Sequence, residues 1–200
     1  MKTCLKRSLV LVIITLVRFA GASAGLAGEP LELVRSVSER AIAVLKDPAL
    51  KAADKKPERV GQLKAIINPV FDYEEMARRT LDAQWRRRTA AEQQEFVKLL
   101  RAFLEKIYSE KADLYEGERV VLGRETVDQD FAEVESKVIN AKGEASPVIY
   151  RLKRHDGSWK IYDAVVENIS IVNNYRSQFD RVISKSSYDD LKKMLREKGG

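Results

Sequence analysis

The sequence is poor in the side chains that build catalytic and metal sites. Among 200 residues there is one cysteine, Cys4, and one histidine, His155. A lone histidine cannot form a His-based zinc site, and the chain has no glycine-rich phosphate loop and no serine in a nucleophile elbow. We therefore expect a non-enzymatic protein that binds no metal and no cofactor.

The first 27 residues lack acidic side chains and have the pattern of a secretory signal peptide. Three cations precede an apolar run from 9 to 17, and small residues follow it. The run is shorter than the roughly 20 apolar residues that a transmembrane helix needs. We expect cleavage after Ala24 or Ala27 and a single exported domain over 28–200; an uncleaved anchor is the alternative.

Removal of this segment would change the charge and the thiol content of the protein. The whole chain has a formal net charge of +6, and four of its cations lie in the segment, so the mature chain would carry +2. Cys4 would leave as well, so no disulfide is expected. The high isoelectric point thus owes much to the signal peptide, and no binding to nucleic acid is expected.

Apolar residues recur at helical spacing in six segments of the remaining chain. The fourth helix carries the strongest apolar stripe. Asp72 and Thr89 are expected to cap the third and fourth helices, each with a glutamate three residues later as in a capping box. The expected helices cover 31–46, 57–67, 72–85, 89–108, 172–182 and 187–199.

Alternation with period two replaces helical spacing between the fourth and fifth helices. Four strands are expected, at 119–126, 131–140, 148–152 and 159–167, and Asp156-Gly157 predicts a hairpin turn. They form an antiparallel meander with one apolar face and one wet face, and the domain is α+β. Periodicity does not tell whether the apolar faces fill a core or line a cavity.

One carboxylate lies within the strongly apolar fourth strand. A buried Asp163 could act as a general base with a raised pKa, as in a small-pocket α+β enzyme. The alternative that we favour is a structural aspartate, bonded to backbone groups or to an arginine such as Arg176. His155 lies in the hairpin turn, where we expect it to be solvated.

Two basic clusters lie outside the strands. Arg86-Arg87-Arg88 connects the third and fourth helices, and the last helix carries four cations from Lys192 to Lys198. Such clusters are usually solvated faces. The more specific hypothesis is attraction to anionic lipid headgroups or to an acidic docking partner.

Three longer stretches carry a family resemblance. They are 71–85, beginning Phe-Asp-Tyr-Glu-Glu-Met; 89–108; and 157–179, beginning Gly-Ser-Trp-Lys-Ile-Tyr-Asp. In order and spacing they resemble the MlaC-like family of periplasmic phospholipid-binding proteins, also called toluene-tolerance auxiliary proteins. The chain departs from the family where glycine is common, at Asp82 and Asn168. Asparagine tolerates a left-handed backbone, so the bend at Asn168 should persist.

The resemblance implies a lipid carrier. The expected fold is a four-stranded curved meander packed against several helices around an apolar cavity that holds phospholipid acyl chains. The protein would be a periplasmic monomer that shuttles lipid between an outer-membrane lipoprotein complex and an inner-membrane ABC transporter complex of an Mla-type system, with a role in outer-membrane lipid asymmetry. A non-enzymatic adaptor with a filled core is an alternative.

The residues expected to line the cavity combine apolar character with elements that the family uses around it. Any one of them could instead be plain core. They are Leu104, Tyr108, Val148, Tyr150, Val165, Val166, Ile169 and Ile171.

Overall fold

The computed structural model describes residues 28–200. The predicted signal peptide, including Cys4, lies outside the described residues. Within 28–200 the chain forms six α-helices and five β-strands. The helices are α1 (Glu29–Lys46), α2 (Lys56–Ile67), α3 (Tyr73–Leu81), α4 (Ala90–Ala112), α5 (Ile171–Lys185) and α6 (Tyr188–Gly199). The strands are β1 (Arg119–Asp128), β2 (Phe131–Ile139), β3 (Ala145–His155), β4 (Ser158–Val166) and β5 (Ile169–Ser170).

The strands form one antiparallel sheet in the order β1-β2-β3-β4-β5. The hairpin at Asp156-Gly157 is confirmed, and both of its residues have positive φ. We expected four strands, but the sheet has five. The additional strand, β5, pairs with the end of β4. Glu167 and Asn168, both at positive φ, form the turn that joins them. A turn without glycine and a strand of two residues leave little trace in a sequence.

All six expected helices are present, and side-chain caps account for the starts of α3, α4, α5 and α6. The Asp72 carboxylate accepts a hydrogen bond from the Glu75 N–H at 2.9 Å, and Thr89 forms the predicted capping box with Glu92. The third helix is shorter than expected. It ends at Leu81 because Asp82 takes a positive φ of 46°, and the chain continues as a 3₁₀ helix.

The buried side chains form two separate clusters. We call the cluster between α3, α4, α5 and α6 the helical core and the cluster between α1 and the sheet the sheet core. Phe71 packs against both. The helical core consists of Tyr73, Met76, Ala77, Leu81, Phe96, Leu100, Phe103, Val172, Phe179, Tyr188, Leu191 and Leu195. The sheet core consists of Val34, Ala132, Val134, Leu152, Trp159 and Ile161.

Strand register gives the sheet two distinct faces. Directly opposed residues of neighbouring strands point to the same face. Val134, Tyr150 and Ala164 are opposed and share the face on which α1 packs, which we call the inner face. Arg151 and Asp163 are opposed on the other side, the outer face.

A strand carboxylate fixes the start of α1. The two oxygens of Glu125 accept hydrogen bonds from the backbone N–H groups of Gly28 and Leu31, each at 2.7 Å. The first N–H groups of a helix have no partner within it, and an anion there also interacts well with the helix dipole. Glu125 lies just past an irregularity in the β1–β2 pairing. Its hydrogen bond with Gly28 connects two positions that are 97 residues apart in the sequence.

Candidate functional site

Four of the eight predicted lining residues lie on the inner face of the sheet. Val148 and Tyr150 are alternate residues of β3. Val166 is opposed to Val148, and Ile169 is opposed to Val166. Val148 is buried, whereas Val166 and Ile169 are exposed at the end of the β4–β5 hairpin. The inner face therefore runs from a buried centre to an accessible edge.

Val165 lies on the outer face. It is opposed to Ile149 and Ser170, and it is buried. Successive residues of a strand point to opposite faces, so Val165 and Val166 cannot both line one cavity.

The three remaining predicted residues lie on helices. Leu104 of α4 is half-buried against the helical core. Tyr108, one turn further along α4, is half-buried, and its hydroxyl donates a long hydrogen bond of 3.4 Å to Asn68. Ile171 is the first residue of α5 and is also half-buried. The predicted set thus divides between the inner face, the outer face and the helices.

The region between the inner face of the sheet and helices α1, α2 and α4 is bounded by elements that pack together to different extents. α1 lies against β1, β2 and β4, and α2 lies against α1 and α4. Among the described elements, neither α2 nor α4 approaches a strand as closely as α1 does. Several apolar side chains around this region are only half-buried and belong to neither core. They include Val37, Ala41, Val44, Ile67, Tyr108 and Val138.

Tyr150 lies on the inner face and is half-buried against the sheet core. Burial raises the pKa of its phenol. Its hydroxyl forms no hydrogen bond with any of residues 28–200. The inner face and the half-buried apolar side chains of α1, α2 and α4 are the candidate apolar site. The sequence list omitted its α1 wall, although Val37 and Ala41 stood out by their helical spacing.

A polar network joins the end of α2 to α4 and includes Tyr108. The Asn68 carbonyl oxygen accepts hydrogen bonds from the hydroxyls of Tyr73, at 2.8 Å, and Tyr108. Its amide nitrogen donates to Glu105 at 2.8 Å, and Lys64 pairs with the same carboxylate. Burial and the charge of Glu105 raise the pKa of Tyr73, so this hydroxyl stays protonated and can donate.

Asp163 is held in a structural arrangement. It is 2% exposed, and one carboxylate oxygen accepts a hydrogen bond from the Val172 N–H at 3.0 Å. The other accepts from the Ser170 hydroxyl at 2.6 Å and from Arg151 at 3.3 Å. The arginine partner is Arg151 of the neighbouring strand; the expectation had named Arg176. Both oxygens are engaged on the outer face, which disfavours a general base.

His155 is the last residue of β3, directly before the β3–β4 turn, and its side chain is 54% exposed, as expected for a solvated histidine. Within residues 28–200, no group of three or more histidine, cysteine or acidic side chains is placed to hold a metal ion. No helix in the same range is long and apolar enough to cross a membrane.

Two cations of the basic cluster on α6 form ion pairs with another helix of the protein. Lys192 and Arg196 both form ion pairs with Glu95 of α4. In the other cluster, the Arg88 guanidinium lies 4.2 Å from the centre of the Tyr188 ring. These three cations help to hold α6 and the start of α4 together.

Helices on an antiparallel meander, with an apolar region between them, define an α+β protein whose candidate site is suited to binding an apolar ligand. The chain belongs to the MlaC family: the model of that family, described as MlaC protein, matches residues 35–197. The resemblance inferred from the three sequence stretches is thereby confirmed.

Two curated relatives and one solved structure are similar to the chain. The intermembrane phospholipid transport system binding protein MlaC of Haemophilus influenzae is 22% identical over 128 residues, 62% of this chain and 60% of that protein. Toluene tolerance protein ttg2D of Pseudomonas putida is 26% identical over 129 residues, 64% of this chain and 60% of that protein. The chain therefore spans 60% of the length of either relative.

The solved structure is that of a phospholipid-binding protein from Ralstonia solanacearum in complex with a phospholipid. It superposes with a TM-score of 0.74 at 24% identity, and the match covers 84% of this chain and 95% of that one. The two proteins share a fold.

Proposed function

We propose that the protein is a periplasmic phospholipid carrier that holds acyl chains in the apolar site between the inner face and helices α1, α2 and α4. One observation carries this proposal: several apolar side chains of α1, α2, α4 and β2 are only half-buried and belong to neither core. Apolar side chains whose role is only to stabilise the fold would be expected to pack into one of the two cores. The phospholipid named with the Ralstonia protein supports the same class of ligand.

The energetics of acyl chains suit such a site. Each methylene removed from water contributes about 0.8 kcal/mol, so two acyl chains of common length supply more than about 10 kcal/mol before the costs of ordering. This attraction is non-directional. The site needs no catalytic group, and a headgroup left outside would be poorly discriminated.

The strand register sharpens the expected lining. We propose Val148 and Tyr150 as the sheet wall and Leu104 and Tyr108 as the α4 wall. Val166 and Ile169 would lie at the rim of the site, because they share the inner face but are exposed. Ile171 would also lie at the rim, at the start of α5. Val165 is left out of the proposed lining because it points to the outer face.

The proposal also includes export of the protein and its transfer of lipid between membranes. Residues 1–27 would be removed on export, and 28–200 would act as one monomeric domain. The carrier would pass lipid between outer-membrane and inner-membrane complexes of an Mla-type system. The name of the Haemophilus relative, which refers to an intermembrane phospholipid transport system, supports this role.

The lipid content of the native protein tests the proposal. We expect native mass spectrometry of protein purified from the periplasm to show bound phospholipid. Tyr150→Glu should reduce the bound fraction severalfold, because it buries a charge among acyl chains. Ile149→Glu, on the outer face of the same strand, should retain lipid.

A protein that purifies empty and extracts no lipid from vesicles would overturn the proposal and favour the adaptor with a filled core. Equal lipid loss in the two variants would show that Tyr150 does not line the site.

A further inference from the structure

A cleft of about 540 Å³ lies between α3, the 3₁₀ turn that follows it and the first turns of α5. It is separate from the candidate apolar site, since it is built on the helices beside β4. Its charged and aromatic lining residues are Arg78, Arg79, Asp82, Trp85, Arg86 and Arg176.

The arginines of this cleft outnumber the carboxylates near them. The buried Glu75 accepts hydrogen bonds at 2.7 Å from both Arg78 and Arg79. The guanidinium groups of Arg86 and Arg176, in contrast, form no ion pair and no hydrogen bond with other residues of the described range 28–200. With Glu75 and Asp82 counted, the cleft keeps an excess of positive charge.

Guanidinium groups must supply any anion binding in the cleft. The nearby N-terminus of α5 is already occupied, because the Val172 N–H donates to Asp163 and the Asn173 N–H donates to the Ser170 hydroxyl. Planar guanidinium groups form paired hydrogen bonds with carboxylates more readily than lysine ammonium groups do. The charge and geometry of the cleft therefore fit a carboxylate ligand.

An exposed apolar surface adjoins the cleft. A second cleft of about 410 Å³ shares Asn173 with the first and is lined by Arg151 and Ile169. Ile169, which lines the second cleft, is 61% exposed. An exposed apolar side chain beside cations suits a partner segment that carries both acidic and apolar side chains.

We propose that the two clefts form a docking surface for an acidic segment of a partner protein, with Arg86 and Arg176 as its carboxylate contacts. The concave shape favours a protein segment over a membrane, because a flat layer of headgroups cannot enter a cleft as projecting side chains can. This inference goes beyond the lipid cargo and does not depend on it.

Fluorescence anisotropy with a labelled peptide of glutamate, serine and leucine tests the proposal on the purified exported protein. The peptide should bind, its affinity should fall with added salt, and the same peptide with lysine in place of glutamate should not bind. Arg86→Glu combined with Arg176→Glu should weaken binding about tenfold. Lys193→Glu combined with Lys198→Glu changes the net charge equally at exposed sites on α6, and should change affinity by less than about twofold.

Several results would overturn the proposal: no peptide binding, unchanged binding by the arginine variant, or equal weakening in both charge-reversal variants.

Vesicles containing phosphatidylglycerol test the alternative that the surface contacts a membrane. If they bind through Arg86 and Arg176 while the peptide does not, the surface contacts membrane instead of a protein. Circular dichroism checks folding, and glutamine at both positions provides a milder variant that should weaken peptide binding in the same direction. Lipid content measured on the same samples separates failure here from failure of the carrier proposal.

Discussion

At the scale of single residues, Asp163 joins the end of the sheet to the start of α5. Its buried carboxylate accepts three hydrogen bonds, from the Ser170 hydroxyl, the Val172 backbone N–H and the Arg151 guanidinium. Removing one charged partner from such a group costs more than the bond itself contributes, because the remaining groups stay buried without partners.

Asp163→Asn should therefore lower the free energy of unfolding by about 2 kcal/mol, because an amide cannot accept all three bonds. Urea denaturation measures the change. Asp180→Asn, at an exposed position of α5, should change stability by less than about 0.5 kcal/mol. Equal effects of the two substitutions would contradict the structural role of Asp163.

Glu75 makes the stability depend on pH. Burial alone would raise its pKa, but hydrogen bonds from Arg78 and Arg79 outweigh burial and lower the pKa from 4.5 to about 2. A carboxyl with a lowered folded-state pKa stabilises the fold above its unfolded pKa, and the stability is lost as pH falls toward the folded value.

Glu75→Gln should be less stable than the wild type by about 2 kcal/mol near neutral pH. The difference should shrink between about pH 4.5 and about pH 2, because the wild-type carboxylate is protonated in that range. Urea titrations of both proteins at several pH values measure it. A difference that stays constant across this range would show that packing, and not charge, accounts for the effect.

Asp82 holds a backbone conformation that suits glycine, with φ 46° and ψ −116°. Relief of this strain should exceed the extra chain entropy that glycine loses on folding. Asp82→Gly should therefore raise the melting temperature and increase the free energy of unfolding by about 1 kcal/mol. Asp82→Ala controls for loss of the carboxylate and should give no such gain.

At the scale of helices and strands, local signals were sufficient for most of the fold. The capping box of Thr89 and Glu92 and the Asp156-Gly157 hairpin involve neighbours in sequence, and both were predicted. β5 was missed because its turn contains no glycine. Strand alternation could have separated Val165 from Val166 beforehand. The packing of α1 on the sheet core beside Tyr150 could not be predicted, because it depends on contacts between distant segments.

α1 depends on one distant carboxylate for its first turn. Glu125→Gln should destabilise the protein by about 1 kcal/mol and speed hydrogen exchange at residues 28–34, because an amide accepts one of these bonds less well. Glu135→Gln, which removes only an exposed ion pair with Arg124, should do neither. Unchanged exchange in the Glu125 variant would contradict the capping role.

At the scale of the whole molecule, the two cores are joined through few side chains, Phe71 among them, and the proposed lipid would fill the space beside them. A ligand that binds only the folded state adds stability that grows with its concentration over its Kd. Delipidation should therefore lower Tm by several degrees, and added phospholipid should restore it. Calorimetry before and after extraction measures the shift; an unchanged Tm would contradict a filled lipid site.

The link between Gly28 and Glu125 also has a consequence for the order of assembly. α1 is translated first among the described elements, but its first turn cannot be completed until Glu125, 97 residues later, has been made and paired within the sheet. Contacts between such distant positions form late, because a long loop must close first. The helix at the beginning of the domain is thus among the last to reach its final position, and until then the apolar wall that it provides stays open to chaperones or to lipid.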